Sequence, residues 1–282
     1  MQAFDPTYAL GAAVIWAFSP IYYRAFMKRF DFLSLNFVRT SLSAAVLAIP
    51  AALYWTPQGA SFALFSGVVT LALGDSLFLL AVREVGASVA TPVVYTYVFL
   101  VQVTAGLLGE TVPGANFVSA AMVLAGVAAL SRGKSGSGSR GKGIALGLGA
   151  AAIWAVGQDA IGLATEAGGS VVAIAFMRNL AAAAALGIVL VLTGGREKWP
   201  KGLGMREFAV VAAVSVTDLV VGSVLYVKSV SAAGIALTVI LTSLSPLLTQ
   251  LISKATGKES PSFKDILGGV LIVGALVLAV LG

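Results

Sequence analysis

The sequence predicts an all-α integral membrane protein: ten transmembrane helices arranged as two inverted five-helix repeats. Three observations predict it. Apolar runs of membrane length recur from end to end. The basic residues gather in alternate connections. The second half of the chain echoes the first.

Of 282 residues, 59% are hydrophobic and 11% are charged, against roughly 25% charged in a soluble domain. Ten apolar runs follow one another, at 7–23, 33–54, 62–82, 88–108, 113–130, 144–164, 171–193, 208–227, 232–253 and 266–282. Each is near the ~20 residues that cross a bilayer as helix. The run 113–130 is the shortest case and opens on Pro113. Proline is tolerated in a first helical turn, where its missing N–H has no intrahelical partner anyway. The opening "MQAFDPT" carries no basic n-region, so the first span is expected to stay in the protein rather than be cleaved as a signal.

The net charge is +6, and its distribution reads as topology rather than nucleic-acid binding. The first, third, fifth, seventh and ninth connections hold Arg24, Lys28, Arg29, Arg83, Arg132, Lys134, Arg140, Lys142, Arg196, Lys198, Lys201, Arg206, Lys254, Lys258 and Lys264. The termini and even connections hold only Lys228, and Arg39 and Arg178 lie inside spans. By the positive-inside rule the odd connections are cytoplasmic. The expectation is a multi-pass cell-membrane protein with both termini extracytoplasmic.

The stretch "SRGKSGSGSRGK" (131–142) is Gly/Ser-rich and basic, a flexible cytoplasmic linker by composition. It divides the chain into 1–130, a linker at 131–143, and 144–282. The two long parts correspond. "IWAFSPIYYRAF" (15–26) matches "IWAVGQDAIGLA" (153–164), with Trp16 opposite Trp154. "FVRTSLSAA" (37–45) matches "FMRNLAAAA" (176–184), with Arg39 opposite Arg178. "GASVATPVV" (86–94) and "AGIALTVIL" (233–241) follow, with Thr91 opposite Thr238, then "LLGE" (107–110) and "TGKE" (256–259). A five-span unit crosses an odd number of times, so two in tandem face opposite ways, as in many secondary transporters with a midplane site between the halves.

Ten spans in two such repeats, each with a tryptophan in its first helix and F-x-R early in its second, resemble the drug/metabolite transporter superfamily, and within it the ten-helix EamA-type branch. The resemblance covers nearly the whole chain and its motifs are diffuse. It implies a central cavity surrounded by the first, third and fourth helices of each repeat, with the fifth peripheral. It implies a small-molecule substrate: an amino acid, sugar, nucleotide sugar, phosphorylated metabolite or drug, moved by export or exchange. Many members are drawn with cytoplasmic termini, and the charges here argue the reverse.

The chain has no cysteine and no histidine. That excludes Cys-ligated clusters, thiol nucleophiles, Ser-His-Asp chemistry and most zinc sites. No GxxxxGK[ST] loop is present, which argues against P-loop ATP hydrolysis. No cofactor and no metal are expected.

The charged residues inside spans are the candidate site. A charge at the bilayer centre costs about 2.5–3.5 kcal/mol on insertion scales. Asp75, Asp159 and Asp218 face that penalty, with Arg39 and Arg178. At about 1.5 Å rise per residue, Arg39 and Asp75 fall at similar depth, and so do Asp159 and Arg178, which predicts two intramembrane ion pairs. Either arginine could instead snorkel or hold neighbouring helices. No basic residue shares the depth of Asp218, so it is expected to be unpaired and to bind protons or a cationic substrate. A polar stripe, Thr238, Thr242, Ser245 and Thr249, lies on one face of the ninth span, with Thr91, Tyr95 and Gln102 at equivalent positions of the fourth under a shift of 147 residues. It reads as the wall of a wet cavity, or as hydroxyls bonding their own i−4 carbonyls. Trp16 and Trp154 lie mid-span, with Gln158 on the face of Trp154, positioned to stack on a substrate or simply to pack. The expected function is a secondary transporter of small organic solutes by alternating access, with protons as candidate coupling ion. The alternatives are an intramembrane enzyme using an aspartate pair and a non-transporting scaffold, which needs no cavity.

Overall fold

A computed structural model describes residues 5–130, 139–194, 204–255 and 263–281, and every regular element among them is helical. Residues 131–138 of the expected linker, Lys258 and Glu259 lie outside the described residues. In order the elements are α1 (Thr7–Phe26), α2 (Phe32–Leu53), α3 (Ala60–Ser66), the π-helical segment π1 (Gly67–Gly74), α4 (Asp75–Val85), α5 (Ala87–Val94), α6 (Tyr97–Leu107), α7 (Gly114–Leu130), α8 (Arg140–Glu166), α9 (Val171–Leu192), α10 (Met205–Val216), the second π-helical segment π2 (Thr217–Gly222), α11 (Ser223–Thr242), α12 (Leu244–Ala255) and α13 (Phe263–Leu281).

Among the described residues, six helical runs are long and apolar enough to cross a membrane. Shorter apolar helices run over Gly114–Gly126 and Val270–Leu281. The sixth run, Met205–Ala255, spans 51 residues but is not one crossing. It breaks at Gly234, whose φ of 78° and ψ of 169° are non-helical. Gly86, between α4 and α5, has φ 86° and ψ 162°. Both glycines take a left-handed φ closed to most side chains. They stand 148 residues apart: Gly86 just before the expected fourth span (88–108), Gly234 the third residue of the expected ninth (232–253).

A helix begun at such a break has unsatisfied N–H groups. At Gly234 the side chain of Glu110, from the α6–α7 turn, accepts from Ile235 N (3.2 Å) and Ala236 N (3.1 Å). Burial raises the Glu110 carboxyl above its ordinary value, while the two backbone N–H bonds pull the other way. Other starts are capped locally. Asp31 accepts from Leu33 N (3.0 Å) and Ser170 from Ala173 N (3.2 Å).

The surface and interior are inverted relative to a soluble protein. Ile49, Leu53, Leu107, Val191 and Leu192 are each more than 70% exposed, as lipid-facing side chains are, while Asp75, Arg39, Asp218 and Arg178 are buried. Between helices the contacts are small. α8 lays Gly143 and Gly147 against Val85 and Val93, since helices in lipid associate by close packing rather than hydrophobic expulsion. α8 packs along π1 and α3 to α6, α1 against α11 and α12, and α2 against α9. α7 packs mainly on α13 at the periphery. The middle of the bundle is thereby left to α1, α2, π1, α4, α5, α8, α9 and π2, with the first residues of α6 and α11.

Candidate functional site

The two π segments shape the centre. A π turn adds a residue to the helical repeat and releases a carbonyl from the ladder, commonly at functional sites. Leu71 O in π1 accepts Asn36 Nδ2 (2.7 Å), and Leu219 O in π2 accepts Asn179 Nδ2 (3.3 Å). Asp218 O accepts from Trp16 Nε1 (3.3 Å). Each segment ends on a glycine beneath an indole from the opposite half of the chain. A Cβ on Gly222 would stand 2.7 Å from Trp16 Nε1, and one on Gly74 would collide with Trp154 Cδ1 and Nε1.

Around these segments lies a central cleft. From α1 it takes Trp16, Ser19, Pro20 and Tyr23, and from α2 Arg39. From π1 and its flank come Thr70, Leu71, Asp75 and Phe78, and from π2 and its flank Asp218, Leu219 and Ser223. The remaining wall is Thr91, Tyr95, Tyr97, Trp154, Gln158 and Arg178. Its aromatic rings touch. The Tyr97–Trp154 centroids are 5.7 Å apart, Phe78–Trp154 5.4 Å and Tyr95–Tyr97 5.5 Å.

Arg39 organises one side. Its Nη2 lies 2.8 Å from Asp218 Oδ2 and 3.3 Å from Asp75 Oδ2, and its Nη1 donates to Asn36 Oδ1 (3.1 Å). The guanidinium stacks 4.1 Å from the Tyr23 ring centroid, and the Tyr23 hydroxyl donates to Asp218 Oδ2 at 2.6 Å. All three charged side chains are at most 7% exposed. A buried charge is costly unless it is paired and hydrogen-bonded, and this network supplies both. Asp75, in the apolar run "LALGDSLFLLAV", therefore faces the interior with Arg39 as its partner.

The geometry corrects three expectations. Asp218 is not unpaired: it shares Arg39 with Asp75, and its partner comes from α2, in the other half of the chain. Asp159 and Arg178 do not form an ion pair. Arg178 Nε donates to Ser66 Oγ (3.1 Å), whose hydroxyl donates to Gly157 O (2.7 Å). Asp159 instead faces Thr104. Finally, the stripe lines the cleft only in part. Thr91 and Tyr95 reach it. Thr238 bonds Gly234 O (2.8 Å) and Ser229 (2.9 Å), and Thr242 bonds Thr238 O and Val239 O, both at 3.1 Å. Thr249 donates to Ala17 O (3.1 Å), and Ser245 packs by Tyr95. Thr238 and Thr242 thus bond their own turns, and Thr249 and Ser245 link helices.

Gln102 also serves packing. Its Nε2 donates to Ala236 O at 3.0 Å, and Gln250 Nε2 donates to Ser88 O at 3.2 Å. The second bond repeats the first with the two spans exchanged, at a register of 148 residues rather than 147.

Sequence reasoning did not select Tyr23, Thr70, Tyr97 or Ser223. A signal existed. Tyr23 follows Trp16 by seven residues, on the same helical face. Thr70 with Asp75 and Asp218 with Ser223 have the same five-residue spacing, 148 residues apart. Both aspartates come to the Arg39 side because they occupy opposite members of these two pairs. Among the described residues, no group of three or more His, Cys, Asp or Glu could hold a metal ion.

Comparison with known proteins adds the following. A sequence model described as the EamA-like transporter family matches residues 6–132 and 141–281. A protein of Archaeoglobus fulgidus described as an uncharacterized transporter is 27% identical over 282 residues, covering 97% of this chain and 96% of that one. A crystal structure of a protein superposes with a TM-score of 0.77 over 99% of this chain and 97% of that one. At 19% identity it speaks for the fold alone.

Proposed function

The chain belongs to the EamA-like transporter family, part of the drug/metabolite transporter superfamily, and on that premise we propose that it moves small organic solutes through the central cleft by alternating access. It is a multi-pass membrane transporter and not an enzyme. The observation that carries the mechanism is the cleft itself. It gathers charged and aromatic side chains from both halves of the chain inside an otherwise lipid-facing bundle.

Ten spans in two inverted repeats fit that mechanism. The break at Gly234 divides Met205–Ala255 into two crossings. Adding α1, α7 and α13 to the other five runs gives ten. Several features support the repeat: the family match in two segments, the reciprocal glutamine bonds, the indoles exchanged over Gly74 and Gly222, and the paired π segments. The charge distribution supports extracytoplasmic termini and a cytoplasmic 131–143 linker.

Proton coupling resides in the Arg39 cluster. Two carboxylates share one guanidinium, so the cluster can take up one proton without stranding a charge. The test is solute uptake and efflux in proteoliposomes, with and without a pH gradient, across a panel of small metabolites. Asp218→Asn keeps the size and removes the titration. It is expected to abolish gradient-driven transport while retaining exchange. Gradient-driven transport at the parental rate and with the parental pH profile would refute the coupling role.

A further inference from the structure

The cleft holds two arginines and two aspartates, and the charges are not evenly shared. Both carboxylates bond Arg39. Arg178, its positional counterpart in the second half, is 3% exposed and lines the same cleft. Among the described residues no carboxylate lies within ion-pair distance of it. Its Nε is engaged by Ser66 Oγ, leaving the Nη1/Nη2 edge without a hydrogen-bond partner among those residues, with Asp75 and the Tyr226 hydroxyl near enough to act on it only through space. A buried guanidinium left in this way is unfavourable unless an anion arrives.

The neighbouring wall has further unsatisfied groups. Among the described residues, Thr91 Oγ1, Gln158 Oε1 and Trp154 Nε1 have no hydrogen-bond partner. Thr91 and Gln158 are at most 4% exposed, and all three residues line the cleft. The rings of Trp154, Tyr97 and Phe78 form an apolar surface beside them.

We propose that Arg178 is the anion-recognition residue of the substrate site, and that the transported solute is an organic carboxylate with a flat apolar body and no ammonium group. The proposal rests on the transport reading above and names its substrate class. The Nη edge of an arginine presents two parallel donors that match a carboxylate bidentately. The aromatic wall takes the apolar body, and Trp154 Nε1 is a further donor. An ammonium group has no free acid to meet. Asp218 already accepts from Arg39 and Tyr23, and Asp75 pairs with the same guanidinium.

The test separates binding from movement. Purified protein in detergent is titrated calorimetrically with benzoate, 3-phenylpropionate, phenyl phosphate, benzyl alcohol and benzylamine, and the same probes are followed in proteoliposomes. At least one carboxylate is expected to bind, with the alcohol and amine failing. Arg178→Lys keeps a charge but loses the planar fork, and is expected to weaken binding by roughly ten- to a hundredfold. Arg178→Met is expected to abolish it. Trp154→Phe keeps the ring and removes the donor, and provides a second variant if Arg178→Met does not fold. It is expected to weaken carboxylate binding by a smaller factor than Arg178→Lys. Preference for phenyl phosphate over both carboxylates overturns the carboxylate assignment. Failure of both carboxylates to bind, tighter binding of the amine, or undiminished binding by both Arg178→Lys and Trp154→Phe overturns the proposal. Arg178-dependent binding without movement in vesicles leaves this site standing and removes the transport reading. Movement indifferent to Arg178→Lys does the opposite.

Discussion

Arg39 and Arg178 occupy matching places in the two halves, yet their removal is expected to have unequal consequences. Arg39→Met strands two buried carboxylates. At an effective dielectric near 20, contacts of 2.8 and 3.3 Å correspond to about 6 and 5 kcal/mol of gross attraction. Much of that is offset, because methionine does not have to be desolvated as a guanidinium does. Breaking a buried ion pair from one side costs about 3–5 kcal/mol net. The lost stacking on Tyr23 adds to it. Arg178→Met forfeits one hydrogen bond to Ser66 and relieves an unneutralised charge, so its net effect is about 1 kcal/mol or less. Thermal unfolding in detergent, followed by circular dichroism, reads the difference. Arg39→Met is expected to lower Tm by on the order of 10 °C, and Arg178→Met by no more than about 4 °C. Adding Asp218→Asn to Arg39→Met removes one stranded charge and is expected to recover part of the loss. Equal losses from the two arginines, or no recovery in the double variant, would refute the reasoning.

The remaining predictions concern topology, capping and packing. Because the chain has no cysteine, Gln58→Cys and Lys28→Cys can be probed in intact cells with an impermeant thiol reagent. Labelling is expected at residue 58 and not at 28, and the reverse pattern inverts the topology. Glu110→Ala leaves Ile235 N and Ala236 N without their acceptor and is expected to cost about 0.5–2 kcal/mol, as for a lost helix cap. Chemical denaturation measures it, and an unchanged midpoint rejects the capping role. Because the folded Glu110 carboxyl is raised, its linked contribution is complete below the unfolded pKa and fades as pH rises through the folded value. The Tm difference, parent minus Glu110→Gln, should therefore fall on going from pH 4 to pH 7, and a rise would contradict the sign. Gly74→Ala and Gly222→Ala drive a Cβ into Trp154 and Trp16. Each is expected to cost about 1–3 kcal/mol by overpacking, with a changed tryptophan emission spectrum. Unaltered emission and stability would show that the indoles yield freely.

Membrane residence was legible in the sequence because the bilayer imposes its own thickness. Runs of about 20 apolar residues and charges on one side are local properties that survive without knowing any contact. The pairing of Arg39 with Asp75 was also within reach, since a fixed rise per residue converts position into depth. Depth is only one coordinate, however. Asp159 and Arg178 share it and still do not pair. Asp218 found its partner 179 residues away along the chain. Rotation about each helix axis, and which helices become neighbours, were decided by tertiary packing. The polar stripe shows the same limit. A threonine at i+4 fits a cavity wall or a bond to its own turn equally well, and only the neighbouring helices settled Thr238 and Thr242 as the latter. The π segments were hidden for a related reason. Whether a turn widens depends on what presses against it, and at Gly74 and Gly222 that is an indole from the opposite half of the chain.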